Sequence, residues 1–327
     1  MQRRKLGASA PEVGAIGLGC MGMSDFYGPA DEAESVATIH AALEAGITLL
    51  DTGDFYGMGH NELILREALK GGKRKQAFIQ VKFGAQRGPD AGFLGFDARP
   101  AAVKTALAYT LKRLNTDYID LYMPARLDPQ VPIEETVGAI AEMVKAGYVR
   151  HIGLSEMGAA TIRKAHTTHP IAALQIEYSL ASRGIETEIL PTLRELGIGM
   201  TAYGVLSRGL FTGSAPTGPK DFRAISPRFQ GANLARNQRL VDALTKVAQR
   251  LRATPAQIAI AWVLHQGSDI LPLIGSRKRS QLAESLKALE LRFDPMDLTQ
   301  IEAAMPKGAI AGERYPEHGM RSLDSER

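Results

Sequence analysis

One cysteine, Cys20, is all the thiol chemistry in a chain of 327 residues. It cannot close a disulfide within the chain, so packing must hold the fold, and such usage suits a reducing compartment. Beside Gly19, Cys20 reads as a small buried hydrophobe. Aromatic residues are sparse at 6%, with a single tryptophan. No apolar run reaches the roughly 18 residues of a membrane-spanning helix, and no long apolar stretch follows the basic Arg3-Arg4-Lys5. The expectation is a cytoplasmic protein that does not engage a membrane. The net charge is only +4, and its cations are scattered except at Arg3-Arg4-Lys5 and Arg277-Lys278-Arg279, a weak case for nucleic acid, so none is expected as a partner. None of the seven histidines has metal-ligand spacing with cysteine or carboxylates, so no metal is expected. No glycine-rich dinucleotide fingerprint follows any strand.

What is present is a core and a rhythm. Hydrophobic residues make up 45% and charged residues 23%, ample for a large interior. Short apolar runs alternate with longer amphipathic segments, as parallel strands joined by crossover helices do. Strands are expected at Val13 to Leu18, Ile47 to Leu50, Ala77 to Val81, Ile119 to Met123, His151 to Leu154, Ala173 to Ile176, Ile198 to Ala202 and Ile270 to Ile274. Helices are expected at Asp31 to Ala45, Pro100 to Leu114, Pro132 to Ala146, Gly158 to Thr168, Glu186 to Leu196, Asn237 to Leu251, Pro255 to Gln266 and Asp297 to Ala304. Eight strand-helix units fit a closed barrel better than an open sheet. The fold class is therefore α/β, a single (β/α)8 barrel over residues 1–327 with extra helices and long carboxyl-face loops. Segments 24–29, 204–236 and 306–327 lack periodicity; the first two would rise over that face, and the last either joins them or is a loose tail.

Two strands end in ionisable residues. Ile47-Thr48-Leu49-Leu50 runs into Asp51, and Ala77-Phe78-Ile79-Gln80-Val81 runs into Lys82. A charge at a buried strand end needs a partner, and these two can pair. Tyr56 follows Asp51 on a glycine-rich turn. A phenol, with a pKa of about 10, is a weak acid, and a neighbouring ammonium would lower that pKa and improve proton donation. Separately, Arg277-Lys278-Arg279 precedes a helix expected near Ser280. Three cations at a helix amino end oppose its dipole, and a phosphate would satisfy both them and the exposed backbone N–H groups.

Asp51-Thr52-Gly53-Asp54-Phe55-Tyr56-Gly57 with His60-Asn61-Glu62, the strand ending in Lys82, and Ile152-Gly153-Leu154-Ser155-Glu156 resemble signature segments of the aldo-keto reductase superfamily. The likeness continues through Gln175-Ile176-Glu177-Tyr178, through Ala202-Tyr203-Gly204-Val205-Leu206-Ser207-Arg208-Gly209-Leu210 and through Ile274-Gly275-Ser276-Arg277. It covers essentially the whole chain and is nearest the aryl-alcohol-dehydrogenase-like and potassium-channel-β-subunit-like branch. The resemblance implies hydride delivery from a nicotinamide cofactor to a small-molecule carbonyl substrate, with Tyr56 as the acid, Lys82 tuning it and Asp51 holding Lys82. It implies that Ser155, Glu156 and Gln175 hold the carboxamide, with Glu156 where many relatives have asparagine, and that Tyr203 stacks under the ring. It also assigns Gly204, Leu206, Arg208, Gly209, Gly275, Ser276, Arg277, Lys278, Gln281, Glu284 and Ser285 to the cofactor. NADPH is favoured, with NADH as the alternative.

One position departs from the pattern. After Asp120-Leu121-Tyr122 the chain reads Met123-Pro124-Ala125-Arg126-Leu127-Asp128, and Ala125 stands where relatives carry the histidine that binds the carbonyl oxygen. Loss of one preorganised donor costs roughly 3 kcal/mol, about a hundredfold in rate. Arg126 is a candidate replacement, but a structural pair with Asp128 is the favoured reading. Phe26, Tyr27, Met123 and Ala125 are candidate pocket residues. The competing reading is a cofactor-binding sensor whose turnover is weak because of Ala125. Monomer and homo-oligomer both remain open.

Overall fold

The computed structural model describes residues 1–24, 26–214, 216, 218 and 221–327. Asp25, Ala215, Thr217, Pro219 and Lys220, in two of the expected carboxyl-face loops, lie outside the described residues. Eight parallel strands close a barrel: β1 (Gly17–Gly19), β2 (Leu49–Gly53), β3 (Phe78–Phe83), β4 (Ile119–Pro124), β5 (Val149–Ser155), β6 (Ile171–Glu177), β7 (Gly199–Tyr203) and β8 (Ile270–Gly275). They follow one another around the wall in chain order, and β8 pairs back onto β1. One helix follows each of the first six strands: α1 (Glu32–Glu44), α2 (His60–Ala68), α3 (Pro100–Leu114), α4 (Ile133–Lys145), α5 (Ala159–Thr168) and α6 (Ile189–Leu196). Two more, α7 (Gly231–Arg250) and α8 (Pro255–His265), precede β8; α9 (Arg279–Leu286) and α10 (Pro295–Ala304) follow it. Among the described residues no helix is long and apolar enough to cross a membrane.

The period-two geometry of the strands sorts side chains into two cores. Leu49, Phe78, Leu121, Met123, Ala173, Leu271 and Leu273 form the barrel interior, whereas Leu50, Ile79, Val81, Tyr122, Leu154, Leu174, Ile176 and Met200 pack outward with the helices. Continuing the inward parity towards the carboxyl ends reaches Asp51, Gln80, Lys82, Ala125, Ser155, Gln175 and Tyr203. The apolar plug thus gives way to a polar layer at one mouth.

The expected first strand is two pieces. Glu12–Gly14 pairs antiparallel with Arg3–Lys5, and only Gly17–Gly19 enters the barrel. This hairpin stops the barrel's amino end: Leu6, Ala10 and Val13 join the interior cluster, and the Arg4 guanidinium donates to the carbonyls of Leu264, Gly267 and Ile270 at 2.5–2.8 Å. The helix expected from Glu186 starts at Ile189, with a separate 3-10 turn over Gly184–Glu186. Helix α2 and a hairpin, Ala85–Arg87 with Phe93–Phe96, were not among the expected elements. The C-terminal segment runs back over the carboxyl face. Ala311 exchanges hydrogen bonds with Asn237, Leu323 is buried, and the Asp324 carboxylate caps α5 through Gly158 N at 2.8 Å.

Candidate active site at the carboxyl face

Parallel pairing sets Asp51 beside Gln80, Gly53 beside Lys82 and Lys82 beside Met123, which brings the acid and the amine to one level. Asp51 Oδ1 accepts from Lys82 Nζ at 2.5 Å, Gln80 Nε2 at 2.7 Å and Gln175 Nε2 at 2.8 Å. A buried ion pair needs such additional donors to offset its desolvation. Gln175, assigned by resemblance to the cofactor, therefore also steadies the carboxylate.

Tyr56 enters on a turn that the sequence builds from small residues. Gly57, Met58 and Gly59 all take positive φ, and a Cβ at Gly57 or Gly59 would press on neighbouring side chains. Asn61 locks the turn, accepting from Thr52 Oγ1 at 2.6 Å and donating to Cys20 O and Ser24 Oγ at 2.8 Å. His60 bridges Ser24 and Glu32 on the turn's outer side. The Lys82 ammonium lies 5.1 Å from the centre of the Tyr56 ring, and no hydrogen bond joins it to the hydroxyl. The expected lowering of the phenol by Lys82 is not the balance found. Burial, then the Asp51 charge, pushes Tyr56 well above 10, and the foremost cation opposing them is Arg126. The physical reason is that Asp51 neutralises Lys82, whose own pKa burial lowers. Tyr56 thus keeps its proton at neutral pH.

Ala125 continues the inward parity, its N donating to Phe83 O at 2.8 Å, with a methyl in place of a donor. The expected Arg126–Asp128 pair does not form: Asp128 accepts from Ala98 N at 3.0 Å and Gln130 N at 2.9 Å. Both contacts tie down the loop after β4 and turn the carboxylate away. Arg126 instead folds over the mouth, donating to Ala125 O at 2.6 Å and lying 3.5 Å from Ser155 Oγ and 3.4 Å from the Tyr315 hydroxyl.

Glu156 is fully buried at positive φ, and its carboxylate is heavily engaged. Oε1 accepts from Glu177 N, Tyr203 Oη at 2.6 Å and Arg314 Nη1; Oε2 accepts from Arg314 Nη2 and Ser325 Oγ. Burial raises its pKa, but the charge and hydrogen bonds of Arg314, the charge of Arg126 and the Ser325 hydrogen bond together outweigh that and hold it below the ordinary range. Where the resemblance gives Glu156 a cofactor contact, the structure gives it a grip on the C-terminal segment. Glu177, one strand over, holds the segment after β7 instead, paired with Arg208 at 3.0 Å and Arg228 at 3.2 Å. Gly204 is required beside it, since its φ is +69° and a Cβ would meet the Glu177 side chain at 2.8 Å.

An aromatic roof covers the site. Phe26 stands edge-on to Tyr56 at 6.4 Å and to Phe222 at 6.3 Å, Phe222 lies 5.8 Å from Tyr315, and the Arg208 guanidinium sits 4.4 Å over the Tyr315 ring. Tyr27 lies under Arg223 at 5.6 Å. Beneath the roof Tyr56, Lys82 and Ala125 are 6%, 4% and 2% exposed, so little water reaches them. Met123 belongs to the interior plug and forms the floor. An open cleft of about 480 Å³ lies beside α3, but its wall, which includes Asp54, Arg87 and Tyr109, contains neither Tyr56 nor Lys82. Arg314 and Tyr315 escaped the sequence reading because nothing local marks them. Only their arginine-tyrosine chemistry in an aperiodic tail signals a use.

The expected phosphate region lies at the start of α9, and Leu206, Arg208 and Gly209 lie in the turn after β7. Ser207 Oγ and Ser276 Oγ, near the ends of β7 and β8, are buried without hydrogen-bond partners among the described residues. Such orphaned hydroxyls, next to a helix whose N-cap residue Lys278 contributes no side-chain cap, fit a polar phosphate-bearing group. The three cations are not equally available. Arg277 is bound to the carbonyls of Tyr27, Gly28 and Pro29; Arg279 and its N–H are taken by Glu34; Lys278 is exposed and forms no ion pair among the described residues. Gln281 accepts from Arg277 N at 3.2 Å, Glu284 from Thr254 Oγ1 at 3.2 Å, and Ser285 is buried. Gly275 is exposed at the end of β8.

Comparisons with known proteins bear on the sequence and the fold. The model of the aldo/keto reductase family matches residues 15–306. A curated relative, probable aldo-keto reductase 1 of Glycine max, is 44% identical over 96% of this chain and 92% of its own length. Among solved structures, glycerol dehydrogenase from Gluconobacter oxydans superposes with a TM-score of 0.84 at 27% identity, covering 95% of this chain and 97% of that one. A thermostable aldo-keto reductase bound to the inhibitor epalrestat gives 0.74 at 28%, covering 93% and 100%. A barrel of eight parallel strands with an acid, an amine and a phenol at its carboxyl mouth thus has the sequence and structural kin it should: the chain belongs to the aldo/keto reductase family, oxidoreductases of carbonyl compounds that use nicotinamide cofactors.

Proposed function

We propose that this protein reduces aldehydes or ketones to alcohols with NADPH, reversibly, and that Tyr56 is the general acid. The observation that carries the reading is the buried Asp51–Lys82 pair with its ammonium 5.1 Å from the ring centre of a phenol that stays protonated at neutral pH. The bound cofactor supplies hydride to the carbonyl carbon. Tyr56 supplies the proton to the oxygen, and the cations beside it stabilise the phenolate left behind. Ser155 and Gln175 orient the ring end of the cofactor over Tyr203. Ser207 and Ser276 receive its phosphates, and Lys278, the uncommitted cation at the start of α9, favours the additional phosphate of NADPH. Phe26 and Tyr27 exclude water from the reacting oxygen.

The test is direct. Purified protein mixed with NADPH and a panel of activated aldehydes and diketones is followed by loss of the reduced cofactor's absorbance. Consumption with several members supports the reading. Tight NADPH binding without consumption by any of them overturns it and favours the regulatory alternative that Ala125 motivates.

A further inference from the structure

The Arg126 side chain lies between Tyr56, Ala125 and the C-terminal segment. Among the described residues, the other arginines of this mouth have carboxylate partners: Arg208 and Arg228 with Glu177, Arg314 with Glu156 and Glu177, Arg223 with Asp221. Arg126 has none within ion-pair distance among the described residues. A guanidinium carries five N–H donors. Its one short bond goes to the carbonyl of its own neighbour, Ala125, and its approaches to Ser155 Oγ and Tyr315 Oη are long, at 3.5 and 3.4 Å. A half-buried cation with donors to spare, next to the acid and above a methyl where a donor is missing, is an arrangement that calls for an oxygen.

We propose that Arg126 is a catalytic residue that donates to the substrate's carbonyl oxygen, the role left vacant by Ala125, and that the Tyr315 hydroxyl steadies the guanidinium for it. This rests on the carbonyl-reductase reading above and names the group that completes it. Three features carry it. Position 125 still tracks β3 through its bond to Phe83 O, so it keeps its place at the mouth while its methyl offers no donor there. Asp128, which would have held Arg126 aside, is committed to backbone N–H groups of Ala98 and Gln130. Finally, the charge of Arg126 favours the Tyr56 phenolate, which places it within electrostatic reach of the proton donor. In the step itself the carbonyl π bond breaks and the carbon accepts a hydride, with its two electrons, from the reduced cofactor. The oxygen takes the Tyr56 proton while an Arg126 N–H holds it, and the guanidinium loses no proton, since it stays charged across the working pH range.

The experiment compares wild type, Arg126→Ala, Arg126→Gln and the double variant Ala125→His/Arg126→Ala, each checked for a native circular dichroism spectrum. Arg126→Ala is expected to lower kcat about a hundredfold while NADPH affinity, read by cofactor fluorescence, changes less than threefold. Arg126→Gln, which keeps part of the stem and two donors but no charge, is expected to fall between, and it carries the test should the alanine variant not fold. The double variant is expected to regain at least tenfold in kcat and to gain a pH limb near the histidine pKa of about 6.5, absent from wild type. A kcat within threefold of wild type in Arg126→Gln and in Arg126→Ala, or a loss confined to NADPH binding, overturns the assignment while leaving the reductase reading intact. A wild type that consumes NADPH with no carbonyl overturns that reading, and this assignment falls with it.

Discussion

The hydroxyls of Tyr203 and Tyr315 share a hydrogen bond of 2.9 Å although 112 residues separate them in the chain. Tyr203 ends β7, and Tyr315 comes from the C-terminal segment. The bond therefore joins the barrel wall to the roof, and it sits one contact from Arg126 and from Glu156.

Truncating Arg314 to alanine strands the Glu156 carboxylate in a fully buried site. Breaking a buried pair in this way costs about 3–5 kcal/mol, so Arg314→Ala is expected to lower the denaturant midpoint by a corresponding amount. Glu156 titrates below its unfolded value, so its contribution is complete above the unfolded pKa of about 4.5 and is lost as pH falls below it. The variant should accordingly differ most from wild type at neutral pH and converge with it in acid. Urea titrations at pH 3.5 and pH 7 measure both.

Replacing the Tyr56 hydroxyl removes the acid and little else, since the ring keeps its contacts with Phe26 and Phe55. Tyr56→Phe is expected to bind NADPH within about threefold of wild type and to lose about 10²–10⁴ in kcat. Steady-state rates together with fluorescence titration check this, and near-normal turnover would remove Tyr56 from the role.

Lys278 is the cation of its cluster without a carboxylate or carbonyl partner among the described residues, whereas Arg279 already serves Glu34. Lys278→Ala is therefore expected to weaken NADPH by about tenfold, with NADH nearly unchanged and a shallower salt dependence for NADPH. Glu34→Gln should act in the opposite sense by releasing Arg279 and its backbone N–H. Dissociation constants for both cofactors at two ionic strengths decide the matter; equal losses for NADPH and NADH in Lys278→Ala would place the additional phosphate elsewhere.

Asp54 is a carboxyl that the fold keeps from ionising. Burial, and then the charge of Glu62, raise its pKa to about 7. The native state therefore holds a proton that the unfolded chain releases near pH 4, and stability contributed by this group declines between about pH 4 and pH 7. Asp54→Asn removes the penalty. It is expected to be more stable than wild type by about 2–4 kcal/mol at pH 8, with the gap closing below pH 4. Thermal melts across that range test the sign.

Much of the barrel was legible because its strands are apolar and its helices carry ordinary stops. Asp31 caps α1, Pro255 opens α8 behind a Thr254–Gln257 capping box, and Pro100–Leu114 coincides with its expected range. Strand ends were read short for a physical reason. Asp51, Lys82, Ser155, Glu177 and Tyr203 interrupt the apolar pattern, yet their backbones continue the ladder, so the reading stopped just before each of them and one to three residues short of the strand end. At the other end, Val13 to Leu18 reads as one run because hairpin and barrel strand are both buried, and composition does not show where the chain changes partners. The Asp51–Lys82 pair was readable from two strand ends. The engagement of Glu156 by Arg314 was not, because they are 158 positions apart and the tail carries no period of its own.

Ser325, the third residue from the end of this chain, donates to Glu156 at 2.6 Å. Together with Arg314 and Tyr315 it makes the pocket's wall a joint product of strand ends and of a segment that has no strand of its own. A cut or an insertion between Arg314 and Ser325 therefore acts on the pocket itself.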